Sequence, residues 1–173
     1  TANQYFSRSG HTYFESHPDL EFLSVSMLDV DKHMAKYHVE IYLTKDKLLF
    51  LFDEKKSIEG FLEDLKGREK RELTLDKVLF LFFNQLIKND VKSLETLEDE
   101  VMELEEQLED ENTIDKSHIK TIGNLRRRLL ALKRYYESLI DIQQGIEENI
   151  NGFIDKKQIR LFQVQTSRTE RLY

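Results

Sequence analysis

From Thr74 to Glu111 the chain runs without a glycine or a proline. Its apolar residues recur three and four apart, at Val78, Leu79, Phe82, Phe83, Leu86, Ile87, Val91, Leu94, Leu97, Val101, Leu104 and Leu108, which is the spacing of one helix face. At a rise of about 1.5 Å per residue a single helix over this stretch would be about 55 Å long. A compact globule built from 173 residues has a diameter of only about 40 Å. The sequence therefore predicts one continuous helix, capped by Thr74, that projects from its domain.

The projecting half, Leu94 to Leu108, alternates three- and four-residue steps and needs a second helix to cover its seam. That helix follows. After a turn from Asn112 to Lys116, Ser117 is placed to cap a helix with Ile119, Ile122, Leu125, Leu129, Leu132, Tyr136 and Leu139 on one face. An antiparallel helical hairpin is expected. Asn151-Gly152 marks the next turn, and Asp155 starts a third helix with Ile159, Phe162 and Val164 whose pattern is still helical at Tyr173.

The N-terminal part has a different period. Thr1 to Asp19 is polar with scattered aromatics and the only proline, Pro18, so it holds at most one short strand. Three short apolar stretches follow: Phe22, Val25 and Leu28; Val39, Ile41 and Leu43; Leu48 to Phe52. The second alternates with His38, Glu40, Tyr42 and Thr44 on the opposite face, and the short polar link Thr44–Lys47 predicts an antiparallel hairpin with the third. Ile58, Phe61, Leu62 and Leu65 then form a short amphipathic helix, capped by Ser57 and ending near Gly67. The fold class is α+β: a small, mainly antiparallel sheet with a flanking short helix, then long helices. Its parts are an N-terminal α/β unit over 1–67, the long helix and hairpin over 68–150, and the start of a further helix over 151–173.

Composition narrows the function classes. With 26 basic and 33 acidic residues the formal charge is −7, the wrong sign for a module that neutralises nucleic-acid phosphates. Zero cysteines exclude disulfides and thiolate metal sites and suit a cytoplasmic setting. The longest apolar run, Val78 to Phe83, is far short of the roughly 18–20 residues of a membrane span. The first ten residues lack a methionine start and an apolar h-region, so they read as the edge of a longer chain rather than a signal peptide.

Between Lys92 and Lys116 every ionisable residue is acidic: Glu95, Glu98, Asp99, Glu100, Glu103, Glu105, Glu106, Glu109, Asp110, Glu111 and Asp115. One reading is a solvated face partly neutralised by Arg126, Arg127, Arg128, Lys133 and Arg134 of the next helix. The other is a surface that attracts hard divalent cations and binds them weakly through oxygen ligands. The two are compatible. The histidines, His11, His17, His33, His38 and His118, form no helical i, i+4 pair and no HExxH, so a catalytic zinc site is not expected. No GxxxxGK[ST], GxGxxG or GxSxG occurs, and no catalytic residue is assigned. Phe80, Phe82 and Phe83 read as core.

The run from Leu125 to Ile140, LRRRLLALKRYYESLI, then Glu148–Phe153 and Leu161-Phe162, resembles the cytosolic part of the CorA family of divalent-cation transporters. The resemblance covers Asp19 to Tyr173 and is strongest after Leu125. It implies a small α/β domain, a long helix, an acidic helical hairpin and a stalk helix that enters the membrane and lines the pore of a homopentamer. The family's pore segment and its Gly-Met-Asn motif would lie beyond Tyr173, so this stretch is expected to transport nothing by itself. Where family members often read Tyr-Phe-Arg-Asp-Val-Tyr-Asp-Arg, this chain has Leu161–Arg168, LFQVQTSR, and Ser167 stands where the family often has a metal-sensing aspartate. A hydroxyl lacks that charge, so the resemblance assigns no metal ligand here.

The resemblance implies a cytosolic regulatory and assembly domain of a Mg2+ or other divalent-cation transporter, on the cytoplasmic face of the membrane. Its partners would be its own membrane segment, identical subunits and weakly bound divalent cations, with no tightly bound cofactor. The isolated domain is expected to be monomeric or loosely associated. A heptad seam with an acidic exterior also suits a soluble scaffold whose hairpin docks a partner protein, and that alternative needs no metal.

Overall fold

The computed structural model describes residues 12–29, 35–54, 58–69, 73–88, 90–111 and 116–173. Four strands come first: β1 (Tyr13–His17), β2 (Leu20–Asp29), β3 (Ala35–Leu43) and β4 (Leu48–Phe52). They form an antiparallel meander in the order β1-β2-β3-β4. The β3–β4 hairpin is the one the sequence predicts, closed by Thr44 N–H donating to the Lys47 carbonyl at 2.8 Å. The register puts Val25 opposite Val39, Leu23 opposite Ile41, and Ile41 opposite Phe50, so the alternating apolar residues share one face. Leu23, Val25, Val39 and Ile41 are fully buried there.

Helices cover that face. In α1 (Glu59–Lys66) and α2 (Leu75–Leu86), Phe61 and Phe82 meet Phe50 of β4, with ring centroids 5.4 and 5.2 Å from it. Val78 to Phe83 is helical, as predicted. The aromatic packing continues from Phe82 to Phe83 at 5.4 Å and from Phe83 to Phe162 of the last helix at 6.4 Å. Offset and edge-to-face rings at these separations contribute beyond their buried area. Thr74 holds the N-cap position of α2, but its hydroxyl donates to the Asp76 carboxylate rather than accepting from the helix backbone. Ser57 lies outside the described residues.

The predicted continuous helix is two helices. α2 ends at Leu86, and α3 runs Asp90–Glu111. At the junction Lys88 N–H reaches the Gln85 carbonyl and Asp90 N–H the Ile87 carbonyl, both at 3.4 Å and both three residues back. Two causes act here. Asn89 and Asp90 are weak helix formers in sequence, and Asp90, 6% exposed, accepts a hydrogen bond from the Tyr136 hydroxyl at 3.1 Å. That contact belongs to tertiary structure. No propensity pattern reveals it.

α4 spans Lys116–Glu148 and α5 spans Lys156–Leu172. Because α4 begins at Lys116, Ser117 lies inside it rather than at its cap. α3 and α4 run antiparallel, since Asp90 meets Tyr136 while Glu100 meets Arg128. The α3 seam is the predicted one, with Leu97 and Leu104 buried and Leu94, Val101 and Leu108 partly so. The α4 seam differs from expectation. His118, Leu125, Leu132, Tyr136 and Leu139 are buried, whereas Ile119, Ile122 and Leu129 are 61%, 42% and 47% exposed. At about 100° per residue, Ile122 and Leu129 sit on the edge of the buried stripe and Ile119 well beyond it.

β1 rests directly on α4. A Cβ at Gly145 would stand 2.5 Å from Cδ1 of Phe14, so only glycine lets this helix approach the sheet so closely. Glu21, opposite Ser16 of β1, is fully buried on β2, and neither carboxylate oxygen has a hydrogen-bond partner. Burial raises its pKa; Asn151 nearby favours the ionised form without offsetting this. The folded chain thus holds the Glu21 proton more tightly than the unfolded chain. Stability is expected to fall as pH rises from the ordinary carboxyl range toward the folded-state value, and to change no further from this group above it. Glu21→Met should be more stable than the parent at pH 7, by about 1–3 kcal/mol for removing an unpaired buried polar group. In chemical denaturation that advantage should shrink as the pH approaches 4.

Candidate functional site

Two surfaces carry the residues that the sequence singles out: the acidic outer face of α3, and α5 with its seat on α4. On α3, Glu95, Glu98, Asp99, Glu103, Glu105 and Glu106 are exposed and Glu100 is half-buried. Arg128 of α4 grips Glu100 with both guanidinium amino groups, the longer bond being 3.2 Å. Among the described residues this is the basic side chain that crosses the hairpin to an acidic one; Arg127 turns to Asn124, and Lys133 to Glu137 on its own helix at 4.0 Å. Among the described residues the basic row of α4 therefore neutralises the acidic helix at one point. Glu95, Glu98, Asp99, Glu103, Glu105 and Glu106 face solvent. Among the described residues no three His, Asp or Glu side chains converge as a metal cage, so cation binding there would be the diffuse kind. Glu109, Asp110, Glu111 and Asp115 have no described side chains.

α5 starts where predicted. Asp155 is its N-cap and accepts from Lys157 N–H at 2.8 Å. The Asp155 N–H in turn donates to the Asp76 carboxylate at 3.1 Å, which pins the start of α5 to the start of α2. Before it, Asn149 at φ +46° spans the α4–α5 turn, its side chain bonding both the Ile154 carbonyl at 2.9 Å and the Ile154 N–H at 3.0 Å. Gly152 takes φ +68° there, a left-handed conformation that glycine adopts without a Cβ penalty. Asn151 donates to Ser16 Oγ and the His17 carbonyl, each at 3.0 Å, fastening the turn to β1. Sequence reasoning finds Asp155 and the Asn-Gly turn. It misses Asp76, Asn149 and Glu21, whose partners lie far away in sequence.

The packing of α5 changes character along its length. Phe162 is fully buried, edge-on to Phe80 at 5.5 Å. Beyond it the buried residues are Gln165, Thr166 and Thr169. Thr166 donates to Glu147 of α4, and Thr169 bonds back to the Gln165 carbonyl at 3.1 Å. Gln165 is 1% exposed and Gln143, one turn before Glu147 on the same face of α4, is fully buried, yet the amide oxygen and nitrogen of both lack partners. At the far end Tyr173 donates to Glu137 at 2.9 Å, and Lys133 lies 5.1 Å above its ring. One apolar anchor is thus followed by a polar, incompletely paired seam.

The opposite face of α5 is exposed and presents Arg160, Val164, Ser167, Arg168 and Arg171. Ser167 shares this part of the helix surface with Arg160, Arg168 and Arg171, which repel a divalent cation, and with Glu170 three residues on, which attracts one.

The sequence profile of the family described as CorA-like Mg2+ transporter protein matches residues 7–173. No curated protein matches the chain. Among solved structures, the soluble domain of CorA from Methanocaldococcus jannaschii superposes with a TM-score of 0.76 at 19% identity over 95% of this chain and 66% of that one. The complete CorA magnesium transporter of the same organism gives a TM-score of 0.74 at 21% identity, over 93% of this chain and 51% of that one. The cytoplasmic domain of ZntB from Vibrio parahaemolyticus RIMD 2210633 gives 0.73 at 14% identity, over 98% of this chain and 69% of that one. At these identities the structural likeness is one of fold, and the chain spans about half the length of the complete transporter it matches. No helix among the described residues is long and apolar enough to cross a membrane. The match over nearly the whole chain shows that it belongs to the CorA-like Mg2+ transporter protein family.

Proposed function

We propose that this chain is the cytosolic regulatory and assembly part of a CorA-like divalent-cation transporter, with Mg2+ its ion, and that it controls a pore formed by a separate membrane segment in a homopentamer. The observation that carries the reading is the pairing of a largely un-neutralised acidic helix, α3, with a helix, α5, anchored at Phe162 and held loosely beyond it. Divalent cations collecting on the carboxylates of neighbouring copies would offset their mutual repulsion and favour one arrangement of the α5 helices. Depletion would release it, a population shift set by differential affinity. Ser167, with a hydroxyl in place of a carboxylate and arginines beside it, favours a response through the hairpin, whose exposed carboxylates outnumber the single Glu170 beside it.

Calorimetric titration of the chain tests this. Without a convergent cage, Mg2+ should bind in the millimolar range, and Glu103→Gln with Glu106→Gln, three residues apart on α3, should weaken binding by a few-fold. A tight, stoichiometric site for Zn2+ would contradict the reading. So would Mg2+ binding that is indifferent to these substitutions. Uptake of Mg2+, Co2+ and Zn2+ by the intact transporter would identify the ion.

A further inference from the structure

Asn151 fastens the α4–α5 turn to β1, donating to Ser16 Oγ and to the His17 carbonyl, each at 3.0 Å. Glu21 of β2 pairs in register with Ser16 on one side and Leu43 of β3 on the other. Strand alternation therefore turns it to the helix-covered face that Leu23 and Val25 share. It is fully buried there, and both carboxylate oxygens lack a hydrogen-bond partner. Asn151 favours the ionised form of Glu21 through its backbone and side-chain N–H groups, and burial opposes that form more strongly. An amide already engaged by Ser16 and His17 thus stands beside a carboxylate that has no donor.

Among the described residues no charged side chain acts on Glu21. Glu15 and His17 of β1 lie on the other face of the sheet and bond each other at 3.1 Å. Glu40 of β3 is on that face too, where it accepts from the Tyr42 hydroxyl at 3.0 Å. Asp19 of the β1–β2 turn, Lys45 of the β3–β4 link, and Glu148 and Asp155 at the two ends of the α4–α5 turn are exposed. Glu147 of α4 accepts from Thr166. One proton-binding group remains beside Asn151.

We propose that Glu21 is a proton-operated latch on the α4–α5 turn. With its proton, Glu21 is neutral, stays buried and leaves Asn151 fastened to β1. When that proton passes to solvent, the buried carboxylate requires donors. It draws the Asn151 amide from Ser16 and His17 and admits water, and the turn comes off the strand. Because burial raises the pKa, the latch is closed below the folded-state value and opens as pH rises through it. Opening exposes the turn's own bonds to water: Gly152 N–H to the Asn149 carbonyl at 2.9 Å, and Ile154 N–H to the Asn149 side chain at 3.0 Å. The device does not depend on the transport reading.

NMR of the chain between pH 4 and 8 tests this, with exchange rates corrected for their intrinsic pH dependence. The Asn151 side-chain amide signals should move with the same midpoint as the Glu21 carboxyl carbon. Above that midpoint the protection of the Gly152 and Ile154 amides should fall several-fold, and that of Val39 and Ile41 on the central strand β3 should fall less. Glu21→Gln has nothing to ionise, so it should flatten the profile and keep the turn closed throughout. Asn151→Ala should leave the turn poorly protected at every pH while the β3 amides stay protected. Turn protection that is flat in the parent, or equally pH-dependent in Glu21→Gln, would overturn the proposal. So would a loss shared in full by Val39 and Ile41, the mark of global unfolding, or an Asn151→Ala turn as well protected at low pH as the parent's.

Discussion

Replacing Phe162 with alanine is expected to lower the unfolding free energy by about 3–5 kcal/mol, the usual cost of removing a fully buried phenylalanine. Phe162 has no exposed surface and packs edge-on against both Phe80 and Phe83 of α2. It is the one fully buried apolar side chain of α5 among the described residues. At roughly 2–4 °C per kcal/mol for a chain of this size, the melting temperature should fall by roughly 6–20 °C. Hydrogen exchange should show α5 losing protection more than the sheet does. A loss below about 1 kcal/mol would mean that the polar seam holds α5 by itself.

The opposite effect is expected at Gln143 and Gln165. Each is buried with an amide that finds no partner, and an unpaired buried polar group costs about 1–3 kcal/mol. Leucine is close to glutamine in volume and carries no such cost. Gln143→Leu with Gln165→Leu should therefore raise stability by about 2–6 kcal/mol if the two contributions add. On the proposed function the double variant should also hold α5 in one seat and blunt the response of the assembled protein to cytosolic Mg2+. Thermal unfolding measures the first part. An unchanged or lowered melting temperature would show that the amides are satisfied in solution.

Local pattern made the sheet and the start of α5 readable in advance. Val39, Ile41 and Leu43 alternate, Thr44–Lys47 makes a short polar link, and Asp155 precedes a helical run, so each element is specified by neighbours in sequence. The break between α2 and α3 was not readable, because the Asp90 carboxylate is held by Tyr136 on a helix 46 residues away. The α4 face was half readable. Seven-residue spacing identifies Leu125, Leu132 and Leu139 as one stripe and passes over the buried His118, while the exposed Ile119, Ile122 and Leu129 have the same hydrophobicity as a buried seam, and only the position of α3 separates them. The acidic helix was evident from composition. Its incomplete neutralisation was not, because that depends on which arginines reach across the hairpin.

On the proposed function, divalent cations act by offsetting the repulsion between acidic surfaces of neighbouring copies. Each copy carries −7, and screening over a Debye length of about 8 Å at physiological salt removes only part of the repulsion at contact. Sedimentation of the chain at micromolar concentration, with Mg2+ and then with a chelator, tests this most directly. The chain should be monomeric or weakly associated in chelator and should shift toward larger species in millimolar Mg2+, with the shift lost in the Glu103→Gln, Glu106→Gln variant. A stable pentamer that is the same with and without metal would contradict the account.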